Sequence, residues 1–142
     1  MHTISTFLFG NEHATSKERI YAMIRAQFEG SPDIVLGERQ MPVGMPASMQ
    51  VTSGPFHFTV DYIDDLSMHE SLAHAQSFAP RALPVEHLQC EVRTVFGDDP
   101  YADYGHIANV MQKLLLALPN AIVFDERQKR VVSDTTLQST GA

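Results

Sequence analysis

The chain has no tryptophan, a single cysteine at Cys90, and only 10 lysines and arginines against 17 acidic residues. Each shortage closes a class of explanation. One cysteine allows neither an internal disulfide nor a cysteine-rich zinc site, and nothing asks for an oxidising compartment, so a cytoplasmic setting is expected. A net charge of −7 repels a phosphate backbone, which argues against nucleic acid and towards a basic protein partner. Charges and prolines interrupt every apolar run, so no membrane span is expected. The opening stretch Met1 to Gly10 is apolar, but it lacks the basic leader and hydrophobic length of a secretion signal and reads as a first strand. Also missing are a glycine-rich phosphate loop and a nucleophile elbow, so an ordinary nucleotide enzyme or serine hydrolase is not expected.

What is present suits one globular unit: 142 residues, 44% hydrophobic and 19% charged, without low-complexity tracts. Residues 1–132 are predicted to form a single α+β domain and residues 133–142 a flexible C-terminal tail. The strongest pattern is Asp99 to Leu118, where Tyr101, Tyr104, Ile107, Ala108, Met111, Leu114, Leu115 and Leu118 recur at helical spacing. Asp99 can cap that helix, Pro100 suits its first position, and Pro119 ends it. The apolar run Ala121 to Phe124 then reads as a buried strand, closed into a hairpin with residues 130–132.

An earlier helix is predicted from Thr15, which has capping-box spacing to Glu18, with Ile20, Met23, Ile24 and Phe28 on its buried face. Ile34 to Leu36 suggests a second strand. Phe56, Phe58, Val60 and Tyr62 alternate with polar residues and should pair with residues 48–52 across the turn Ser53-Gly54-Pro55. Ser67 and Glu70 repeat the capping-box spacing ahead of a helix reaching Phe78. On the next strand Leu88, Cys90, Val92 and Phe96 point one way, while His87, Gln89, Glu91 and Arg93 point towards solvent. The sum is a mixed or mostly antiparallel sheet packed by about three helices, with helices expected on one side of it rather than on both. Two strand–helix–strand pieces, residues 3–40 and 85–124, hint at a pseudo-duplicated ferredoxin-like arrangement.

Candidate chemistry is sparse. His69-Glu70-Ser71-Leu72-Ala73-His74 is one residue too long for the helical zinc signature, because positions five apart are rotated by roughly 140°. A Glu70–His74 surface pair accounts for it better. Cys90 is expected to be a small core residue, out of reach of His87. No cofactor and no metal are assigned.

Two acidic clusters carry the partner-binding expectation: Asp61, Asp64 and Asp65 with Tyr62, and Asp98, Asp99 and Asp103 with Tyr101. Tyrosine anchors set among complementary charge supply both affinity and fast association. The small acidic α+β organisation, ending in a helix, Leu118-Pro119-Asn120-Ala121-Ile122-Val123-Phe124-Asp125 and a short hairpin, resembles the immunity proteins of bacterial toxin systems, including type VI secretion. That resemblance implies a cytoplasmic, non-enzymatic protein that binds a cognate toxin and occludes its active site, with no shared catalytic residues. The rival expectations are a small enzyme or ligand-binding domain gathering His57, Asp61, His87 or Arg93 on the polar sheet face, and a homo-oligomeric adaptor module.

Overall fold

A computed structural model describes residues 1–10, 16–39 and 48–136. The elements run β1 (His2–Phe9), α1 (Lys17–Phe28), β2 (Val35–Arg39), β3 (Ser48–Ser53), β4 (Phe56–Ile63), α2 (Ser67–Gln76), β5 (Leu88–Phe96), α3 (Gly105–Leu116), β6 (Ala121–Asp125) and β7 (Arg130–Asp134). The seven strands form one open sheet in the order β2-β3-β4-β5-β1-β6-β7, and every neighbouring pair is antiparallel. This is the α+β class expected.

Within that sheet, β1 and β4 flank β5, while β5 and β6 flank β1. Each strand–helix–strand half therefore leaves a one-strand gap that the first strand of the other half fills, as in the split ferredoxin-like β-α-β-β-α-β unit. The first half closes on β4 rather than on β2, because the β2–β3 hairpin is inserted ahead of β4 and widens one side of the sheet. On the other side β7 extends it.

Helices α1 and α3 share one face, where Ile20, Ile24, Phe28, Met111 and Leu115 pack on Phe58, Val60, Val92 and Leu8. The opposite face is not left bare. There α2 and the segment after it bury Leu72, Ala75 and Leu83 against Phe7, Phe9, Ile122 and Phe124, so helices cover both sides. The alternation of β6 explains how one strand serves both: Ala121 and Val123 face α1 and α3, Ile122 and Phe124 face α2.

Several local expectations shift. In α1 the cap is Ser16, whose Oγ accepts the Arg19 N–H at 3.3 Å, and Thr15 lies outside the described residues. The third helix starts at Gly105 and not near Asp99, because the Asp99 carboxylate accepts the N–H groups of Asp103 and Tyr104 at 3.0 and 2.9 Å. Ala102 adopts a left-handed φ of 57° inside that turn, which breaks the helical phase. Tyr101, first in the predicted buried stripe, consequently stands 84% exposed. In α2 the capping box is replaced by Asp65, whose Oδ1 accepts the N–H of Ser67 at 2.9 Å and its hydroxyl at 2.5 Å.

Residues 133–136, expected to fray, are held. Ser133 and Asp134 belong to β7, and Thr135 Oγ1 donates to the Leu118 carbonyl at 2.9 Å and accepts the Ala121 N–H at 2.9 Å. Arg81 binds Asp134 through Nη2 at 2.6 Å and donates to Thr136 Oγ1 at 2.6 Å, fastening the segment after α2 to β7. Residues 137–142 of the predicted tail lie outside the described residues.

Candidate functional site

The two predicted acidic clusters sit at opposite ends of the strands. Asp64 and Asp65 follow the last residue of β4, which pairs with Glu91, whereas Asp98 and Asp99 follow the far end of β5 beyond Phe96. At about 3.3 Å per strand residue this separates them by roughly 20 Å, so one compact anchor patch cannot contain both. In the first cluster Asp61 is half-buried opposite Arg93, and Tyr62 is half-buried against the core instead of being an exposed anchor. Burial and the neighbouring Cys90 raise the Tyr62 phenol well above its ordinary range. Burial likewise pushes the Cys90 thiol up to about 11 despite the Tyr62 hydrogen bond, which leaves it a core group as expected. Asp64 and Asp65 are exposed beside Leu66, itself 81% exposed. Hydrogen bonds from the Ser67 hydroxyl and N–H hold the Asp65 carboxyl below its usual range.

The second cluster is organised by its backbone. Asp99 accepts the two N–H groups named above and so pins the loop 98–104 into a fixed bend that projects Tyr101 and Asp103. Asp98 pairs with the amino group of Met1 at 2.9 Å, which lowers its carboxyl.

A recess of about 440 Å³ opens between α2 and the sheet, lined among others by Ser5, Ser71, His74, Arg93, Phe124 and Glu126. Beneath it Glu91 is fully buried, contrary to the expectation that the polar side of β5 faces solvent. Arg93 makes that burial tolerable: its Nε and Nη2 donate to Glu91 Oε2 and Oε1 at 3.1 and 3.2 Å, and Nη2 also donates to Ser71 Oγ at 2.8 Å. At the mouth, His74 Nε2 lies 3.1 Å from both Glu126 oxygens, so its partner is Glu126 and not the predicted Glu70. The His74 ring stands edge-on to Phe124, and Lys129 also binds Glu126. Burial opposes ionisation of Glu126, but the hydrogen bonds from Lys129 and His74 outweigh it and hold the carboxyl below its usual range. Arg93 is the one member of the anticipated polar pocket that lines this recess. His57 and His87 are exposed elsewhere.

A second cavity, of about 640 Å³, lies where the α1–β2 loop, the β3–β4 turn and the start of α3 converge. Its walls include Asp33, Ser53, Gly54, Tyr104, His106 and Ile107. Tyr104 stacks on Phe56 with ring centroids 5.4 Å apart, and its hydroxyl rests over the turn so closely that a Cβ on Gly54 would meet it at 2.9 Å. Gly54, with a φ of +56°, is therefore favoured both by its conformation and by the space it leaves. The N-terminus of α3 has no side-chain cap.

Among the described residues no group of three or more His, Cys, Asp or Glu side chains is placed to hold a metal ion. No described helix is long and apolar enough to cross a membrane. A pocket on the polar sheet face was expected with Arg93 in it, but not with its observed neighbours Ser71, His74 and Glu126, and the cavity at the start of α3 was not expected; the spacing of Glu91 and Arg93 already put an acid and a base on one side of β5. No family model, curated protein or solved structure matches the chain.

Proposed function

We propose that the protein is a non-enzymatic binding protein that neutralises a basic partner enzyme, the immunity-type role its organisation resembles, and that it docks through the loop 98–104. The observation that carries this is Tyr101, 84% exposed on a segment whose backbone is already fixed by two hydrogen bonds to Asp99. A large side chain on a preorganised loop loses little conformational freedom when a partner seats it, so its buried area converts efficiently into affinity. The exposed Asp103 adds negative charge beside it, whereas Asp98 is offset by the Met1 amino group; such charge speeds encounter with a basic groove and sets orientation. The Asp61–Asp65 end of the sheet is left with a secondary part, since Tyr62 is engaged by the core.

The test is co-expression with the product of the adjacent reading frame. A stable complex and rescue from that product's toxicity are expected. Tyr101→Ala with Asp103→Lys should weaken the complex by about 2 kcal/mol or more, the cost of losing a hot-spot anchor, without lowering the chain's own melting temperature. Absence of both complex and rescue overturns the reading.

A further inference from the structure

The two recesses differ in how their polar groups are engaged. In the recess under α2, Glu91, Arg93, His74 and Glu126 satisfy one another. In the cavity at the start of α3 the Ser53 and Tyr104 hydroxyls and the Asp33 carboxylate have no partner among the described residues.

Ser53 is the telling group. It is only 7% exposed, its side chain is on the core side of β3 paired opposite Phe56, and its hydroxyl makes no hydrogen bond among the described residues. Unlike the fully enclosed orphan hydroxyls of Thr6 and Thr94, it lines the cavity. A polar group this buried is ordinarily paired, so a lone one looking into a cavity marks a place for a ligand atom. The Tyr104 hydroxyl stands beside it over Gly54, and it too lacks a partner among the described residues. The first N–H groups of α3, at Gly105 and His106, point out of an uncapped twelve-residue helix at its positive end. Ser53, Tyr104 and His106 all line the cavity, so two hydroxyls and the start of an uncapped helix border the same space, the kind of donor set that suits a carboxylate.

The rest of the cavity restricts what carries that carboxylate. Asp33, on the α1–β2 loop, forms no ion pair among the described residues, and Asp99 and Asp103 stand on the neighbouring loop. A ligand with net negative charge is repelled there, whereas one that offers Asp33 an ammonium is not. Pro32, Ile34 and Ile107 supply apolar wall, and about 640 Å³ is far more than the two charged groups fill.

We propose that this cavity binds a small zwitterion with an apolar side chain, of the α-amino-acid class. Its carboxylate is held by the start of α3 with Ser53 and Tyr104, and its ammonium by Asp33. The proposal goes beyond partner binding: it shares Tyr104 with the docking loop but not the anchor Tyr101, and Ser53 and Asp33 lie outside that loop. A free amino acid and a short peptide share this chemistry and differ in the spacing of the two charges.

Calorimetric titration of the full chain with L-phenylalanine and with a phenylalanine-containing dipeptide tests it, and the tighter of the two identifies the source. Saturable binding of either is expected, with the N-acetylated and the amidated phenylalanine each at least about tenfold weaker than the free zwitterion. Ser53→Ala and Asp33→Asn should each weaken the zwitterion about tenfold, whereas Asp33→Asn should not weaken the anionic N-acetylated compound, which loses a repelling neighbour. Both variants keep the fold, which a thermal melt verifies. No saturable heat with either zwitterion overturns the proposal, as do equal affinities for the blocked compounds or affinities unchanged in both variants.

Discussion

The recess under α2 and the cavity at the start of α3 are both polar, yet one consumes its charges internally and the other presents its donors outward. Under α2, an arginine brackets a buried carboxylate and a hydroxyl, and a histidine is held by a second carboxylate that a lysine also binds. Such a recess works as a clamp between helix and sheet. At α3, the Ser53 and Tyr104 hydroxyls line the cavity without a partner among the described residues, beside the uncapped start of the helix, so the same kinds of atom are left available for something else. Polarity alone therefore does not mark a site; unmet hydrogen-bonding capacity does.

The largest way to break the clamp is to strip Glu91 of its partner. Arg93→Ala should cost about 3–5 kcal/mol in denaturant unfolding, because a fully buried carboxylate is left uncompensated. The double variant Glu91→Leu with Arg93→Met should recover most of that loss, since replacing both charges removes the desolvation penalty together with the attraction. A single variant that unfolds no more easily than the parent would show that Glu91 is not held as the geometry implies.

Acid should loosen the same side of the sheet. Burial opposes ionisation of Asp134, but hydrogen bonds from Thr136 and Arg81 hold its carboxyl below the ordinary value of 3.8, and Glu126 lies below its ordinary 4.5. A carboxylate depressed by folding adds stability that is complete above its unfolded value and disappears as pH falls through the folded one. Stability should thus decline below about pH 4.5. Asp134→Asn should cost about 2 kcal/mol near neutrality, and the two chains should converge towards the acid end of the profile. Parallel profiles would separate the Arg81 fastening from the acid transition.

At the mouth of the clamp the effect is smaller. The Glu126 side chain is 38% exposed, so its pairs with His74 and Lys129 are screened by solvent. Glu126→Gln should cost less than about 1 kcal/mol, and that loss should shrink further in high salt. A larger, salt-insensitive loss would assign Glu126 to the buried part of the clamp.

The elements of the fold were legible where a single local pattern decided them. Phe56, Phe58 and Val60 alternate and are buried together, and the hairpin to residues 48–53 follows from the turn between. Legibility ended where a partner distant in sequence changed the rule. Leu88 shares the alternation of Cys90, yet it packs with the α2 cluster, because the β1–β5 register shifts between Leu8 and Phe9 and turns it to the other face. Glu91 carries a charge and belongs outside by composition; Arg93, two residues on, neutralises it and lets it be buried. Asp99 was recognisable as a cap, but its carboxylate reached further along the chain and delayed the helix by several residues. The α3 cavity was invisible for a related reason: its walls come from residues 31–34, from 53–54 and from 104, 106 and 107, and none of those segments is distinctive alone.

The smallest stability effect is expected where the ligand effect is largest. Ser53→Ala removes a hydroxyl that holds nothing among the described residues, so no hydrogen bond between them is lost and no buried partner is orphaned there. Chemical denaturation should place this variant within about 0.5 kcal/mol of the parent, or slightly above it, since the nearly buried side chain becomes apolar. Arg93→Ala, by contrast, takes the only guanidinium bound to Glu91 among the described residues. If Ser53→Ala proved as destabilising as a broken buried hydrogen bond, the hydroxyl would be part of the scaffold. The two recesses would then be variations of one structural device, with no division between a clamp and a receptor.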